Sequence, residues 1–161
     1  MVHVTIEHMI MIPVLILQIF LFPLATNVLM NVWVDSRRTL ALQDATSHLG
    51  SAVQQMYFSL NHPTMPVNTT LRDLPGLPPF IENYYYQGNA TLKAVLEPAL
   101  NSSQVLEITL RLATTGTTAT TSVILGSNVS WQDSTFVSNS TDACISATKL
   151  PNQTISLRFG E

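Results

Sequence analysis

From Met9 to Val34 the chain runs for 26 residues without an Asp, Glu, Lys or Arg. A helix of that length, at 1.5 Å per residue, spans roughly 39 Å, more than the roughly 30 Å of bilayer hydrocarbon. It exceeds the short apolar core of a secretory signal, and no Lys or Arg precedes it. Pro13 and Pro23 lie inside the run, where each removes a backbone donor and is expected to kink or locally melt the helix. After Asp35 the pattern changes from uniformly apolar to periodic. Leu42, Ala45, Leu49, Ala52, Val53, Met56, Tyr57 and Leu60 recur at spacings of three and four, which places them on one helical face. Arg37, Arg38, Gln43, Asp44, Ser47, His48, Gln54 and Gln55 fall on the other face. Pro63 disfavours helical geometry at His62, so one long helix is expected over 1–62, apolar all round at 9–34 and amphipathic at 35–60.

Beyond Pro63 the periodicity shortens. Residues 63–90 hold five prolines and the triplet Tyr84-Tyr85-Tyr86, and they predict a turn-rich connection. Leu106, Ile108, Leu110 and Leu112 alternate with Glu107, Thr109 and Arg111, the signature of a half-buried strand. Ile155, Leu157 and Phe159 repeat that alternation. Weaker strands are expected at 91–96, 117–125, 129–137 and 143–149, helped by β-branched Thr. The expected fold is α+β: a long hydrophobic N-terminal helix, then a small antiparallel β domain over 91–161. Five to seven strands are expected there, as a sandwich or open barrel.

Composition narrows the function. Of 161 residues 46% are hydrophobic and 11% charged, with a net charge of −3, which argues against a nucleic-acid partner. One cysteine, Cys144, excludes an internal disulfide or a multi-cysteine metal site. His3, His8, His48 and His62 all precede residue 63, and neither Glu7 with its flanking histidines nor Asp44 with His48 has a nucleophile or third ligand beside it. No Gly-rich phosphate loop or haem attachment motif is present, so no cofactor or enzymatic activity is expected. The densest motif is Asn-X-Ser/Thr, at Asn68, Asn89, Asn101, Asn128, Asn139 and Asn152. Six of the seven asparagines after residue 62 carry it, although Ser and Thr fill only 25 of those 99 positions. Asn27, Asn31 and Asn61 of the helix do not. N-linked glycans on an extracellular β domain are expected. Arg37 and Arg38, just past the apolar run, would by the positive-inside rule hold that side in the cytoplasm. The conflict dissolves if a basic leader once preceded Met1, or if the helix ends in a protein filament.

Thr5-Ile6-Glu7-His8-Met9-Ile10-Met11-Ile12 places a lone acidic residue at the head of an uncharged helix. That segment resembles the mature N-terminus of type IV pilins. The Pro-containing helix followed by a small sheet domain extends the likeness over the whole chain, and the dense sequons suggest the archaeal branch, with its adhesion pili and archaellar filaments. The resemblance implies a homo-oligomeric helical filament, membrane-embedded before assembly, serving adhesion or surface contact with a target the residues do not name. It also implies that Glu7, matching the family's acidic residue in type and context though seventh here, pairs with the amino group of Met1, or of whatever residue begins the mature chain, on a neighbouring subunit. A plainer role for Glu7 is an exposed acid favoured by the helix dipole. The alternative to a filament subunit is a single-pass surface glycoprotein or an accessory part of a pilus machine.

Overall fold

The computed structural model describes residues 2–94 and 103–160, and their side chains except those of residues 2–8 and 10. The fold is α+β. Helix α1 spans Val2–Asn61, and among the described residues eight strands follow: β1 (Thr70–Asp73), β2 (Tyr86–Ala94), β3 (Gln104–Leu112), β4 (Thr118–Leu125), β5 (Val129–Trp131), β6 (Thr135–Val137), β7 (Ile145–Lys149) and β8 (Ile155–Phe159). The chain divides into two compact units, Met1–Arg37 and Arg38–Glu161, and α1 contributes to both.

In the first unit the helical assignment is unbroken at Pro13 and Pro23, so the expected local melting is not seen. A proline removes one hydrogen bond but holds a φ that a helix accepts, and the remaining ladder carries the turn. Two hydroxyls among the described side chains here fold back onto the helix. Thr26 Oγ1 donates to the Phe22 carbonyl and Ser36 Oγ to the Val32 carbonyl, both at 2.8 Å, which withdraws their polarity from the apolar surface.

In the second unit the strands form two four-stranded sheets, ordered β1-β7-β8-β5 and β4-β3-β2-β6. All eight apolar positions expected on the amphipathic helix face are buried, and they share one core with Leu106, Ile108, Leu110, Leu112, Ile155, Leu157 and Phe159. The aromatic contact of Phe136 with Phe159, 5.7 Å between centroids, joins the sheets. At Gly50 α1 closely approaches β4: an added Cβ would sit 3.0 Å from Thr121 Cγ2 and 3.1 Å from Val123 Cγ2.

Four details depart from expectation. The stretch 63–90 is not only a connection, because it contains β1 and the start of β2. The 129–137 strand is two short strands that belong to different sheets; at the break, Ser134 Oγ donates to the Gln132 carbonyl and accepts from Phe159 N–H. The domain is not wholly antiparallel, since β5 pairs with β8 in parallel register, Ser130 opposite Ser156. Strand β2 begins at Tyr86, five positions before the expected 91. Gly88 and Asn89, poor strand formers, mask it, yet Gly88 is required because an added Cβ would overlap Leu110 and press on Phe136.

Candidate functional site

The first candidate site is the apolar half of α1. Every described side chain from Met11 to Trp33 is exposed, and these include Phe20 at 73%, Phe22 at 76% and Leu29 at 70%. The helix is long and apolar enough to cross a membrane, with a mean hydropathy of 2.1 over its most apolar window. A surface apolar on every side has no stable arrangement in water and requires lipid or packed protein around it. Met1 and the side chain of Glu7 lie outside the described residues.

The two arginines after the run have separate partners. The Arg37 guanidinium stacks over the Trp33 ring at 4.8 Å. Arg38 Nε donates to Glu82 Oε2 at 2.7 Å, and its guanidinium lies 5.3 Å from the Tyr84 ring centroid. Glu82 is held for this contact by a tight turn in which Ile81 and Tyr84 pair while Glu82 and Asn83 take φ of 52° and 84°. Arg38 is therefore a packing residue of the second unit, a role that spacing on the helix does not disclose.

Two tyrosines of the triplet serve packing. Tyr86 is fully buried and its hydroxyl donates to the Pro78 carbonyl at 2.8 Å, while Tyr85 is exposed and Tyr84 carries Arg38. Burial pushes the Tyr86 phenol up to about 12, because its anion would lose its water. The native state thus holds this proton above the ordinary value of 10.0. The stabilisation is complete below that value and is lost as pH rises from it toward about 12. An alkaline unfolding titration followed by circular dichroism should show a falling stability across that window, and Tyr86→Phe should flatten the fall.

The sequons occupy unlike environments. Asn68 is exposed, at φ 62°, two residues before β1. Asn139 is exposed in the turn after β6, where Ser140 N–H donates to the Val137 carbonyl at 3.1 Å. Asn152 is exposed between β7 and β8 and its Oδ1 accepts from Thr154 N–H at 3.1 Å. Asn89 sits mid-strand in β2, exposed on the outer face, in a row with Thr135, Thr109 and Thr120. Asn128 is half-buried and hydrogen-bonded through both ends of its amide. Asn101 lies outside the described residues.

The remaining chemical candidates are dispersed. Asp44 and His48 are both exposed and share no hydrogen bond or ion pair. Cys144 is buried just before β7, with Arg72 Nε at 3.2 Å from its sulfur. Lys149 is buried, and its ammonium donates to the carbonyls of Met65 at 3.0 Å and His62 at 3.3 Å, closing the chain just past α1. That cation is a structural cap, and position 149 gave no sign of it because alternation alone marks it only as inward-facing. Among the described residues no group of three His, Cys, Asp or Glu is placed to hold a metal ion.

No protein-family model, curated protein or solved structure matches this chain. The class that the fold defines is a chain with a membrane-compatible apolar helix and a two-sheet domain.

Proposed function

We propose that the chain is the subunit of an extracellular helical filament of the type IV pilus kind, assembled through the apolar half of α1 and serving adhesion or cell-surface contact. The observation that carries this reading is the all-round exposure of the apolar helix beside a domain whose own core is complete. Identical apolar helices can cover one another as a shared core, at roughly 25 cal/mol per Å² of apolar surface buried. Contacts of that sort join unlike patches, so repetition yields an open fibre. Before assembly the same helix resides in the membrane, for which it is long enough. The sequon-rich domain then faces water and carries N-linked glycans. The reading involves no cofactor, catalysis or nucleic acid.

Glu7 is the assembly residue of this proposal. A carboxylate inside an apolar helix core requires a cationic partner, and the amino terminus of an adjacent subunit supplies one. Glu7→Gln keeps the size and removes the charge. It should reduce fibres seen by electron microscopy at least about tenfold while the amount of chain in the membrane stays constant, as expected for loss of more than 1.4 kcal/mol per contact. Unchanged fibre numbers would remove the pairing, and an absence of fibres from the parent chain would remove the filament reading itself.

A further inference from the structure

Asn128 precedes β5 in the sequence Asn128-Val129-Ser130, and its side chain is committed to the fold. Its Nδ2 donates to Asn61 Oδ1 at 2.9 Å and to the Gln153 carbonyl at 3.2 Å. Its Oδ1 accepts from the Tyr57 hydroxyl at 2.9 Å. Its backbone carbonyl accepts from Ile155 N–H at 2.8 Å. One residue thereby ties the last turns of α1, through Tyr57 and Asn61, to the turn that opens β8. The space on its Oδ1 side is tight. A Cβ added at Gly126 would overlap the Tyr57 hydroxyl and stand 3.3 Å from Asn128 Oδ1.

Transfer of a glycan to asparagine has a fixed balance. The amide nitrogen bonds to the anomeric carbon of a phosphate-activated glycan, gives up one of its two hydrogens as a proton, and the carrier phosphate departs. At Asn128 both hydrogens are already donated within the domain, so the product must lose one of the two bonds. It must also seat a sugar ring where Asn61 or Gln153 stands. The amides of Asn139 and Asn152, on exposed turns, meet no such demand.

We propose that Asn128 is a fold-gated acceptor. Its sequon is readable on the unfolded chain and closed in the folded domain, where the same amide locks the end of α1 to the sheet. Occupancy at Asn128 then records whether glycan transfer came before or after folding, and a sugar placed there early prevents the lock from closing. The presence of sugars at other sequons rests on the glycoprotein reading above; the lock stands without it.

Peptide mass spectrometry of folded protein from the source cells is expected to find Asn128 bare while exposed sequons such as Asn139 and Asn152 carry sugar. A glycan on Asn128 at comparable occupancy, in protein that still unfolds cooperatively, would overturn the gate. Sugar on no sequon at all would remove the glycoprotein reading, and side-chain amide exchange in the full-length protein in detergent would then decide. The Asn128 Nδ2 protons are expected to exchange at least about tenfold more slowly than those of Asn139, and equal rates would overturn the lock. Ser130→Ala deletes the sequon and keeps the amide, so the thermal midpoint should move by less than about 2 °C, against a fall of about 5 °C for Asn128→Ala. Equal small shifts would likewise overturn it.

Discussion

A chain beginning at Arg38 is expected to stay in solution without detergent as a folded monomer, while the full chain requires detergent, lipid or assembly. Among the described residues 17 of the 24 exposed large hydrophobic side chains lie between Met9 and Trp33, so the cut removes most of the surface that drives association. The core it leaves is intact, because Leu42 to Leu60 remain to cover the sheets and Arg38 keeps its contact with Glu82. Size-exclusion chromatography with light scattering reads the outcome. A monomer with native near-ultraviolet circular dichroism fits the account. An aggregated or unfolded fragment would show that the second unit depends on the first.

The second large effect separates the two halves of α1 with one chemical change. Leu49 is fully buried in the core, whereas Leu17 is 59% exposed. Leu49→Ala should cost roughly 3–5 kcal/mol, the lost transfer energy plus an unfilled cavity, and lower the thermal midpoint of the second unit by about 10 °C or more. Leu17→Ala should leave that midpoint within about 2 °C, since an exposed substitution changes stability by less than about 0.5 kcal/mol. Its effect should fall instead on fibre number or membrane partition. Calorimetry on both variants in matched detergent tests this, and a Leu17→Ala midpoint as low as that of Leu49→Ala would refute the division of labour.

The division was legible because it is written in periodicity. A continuous apolar run and a run of threes and fours differ wherever they meet, and the eight positions from Leu42 to Leu60 that pattern selected are all buried, with Thr46 and Gly50 buried beside them. Alternation likewise located Leu106 to Leu112, where one face is buried and the other is not, and Ile155 to Phe159, where Ser156 on the opposite face is buried as well. Strand β1 escaped because Thr70–Asp73 is a largely exposed edge strand whose strand partner among the described residues, β7, lies more than seventy residues on. Pairing over that separation leaves no local mark. The parallel seat of β5 is equally tertiary. In the candidate site, the motif identified sequons by composition but not by environment. Asn128 and Asn139 read alike as text, yet one amide is held by Asn61, Gln153 and Tyr57 while the other stands in an exposed turn. Hydrogen-bond partners drawn from distant elements are set by the fold, and short motifs do not encode them.

Electron microscopy of material shed by the source cells, with peptide mass spectrometry of the same fraction, tests the filament reading most directly. Thin helical fibres containing this chain, their centre formed by packed helices over residues 9–34, are the expected result. Recovery of the chain only from detergent-extracted membrane, with no fibres in the shed fraction, would contradict it and leave a membrane-anchored surface protein in its place.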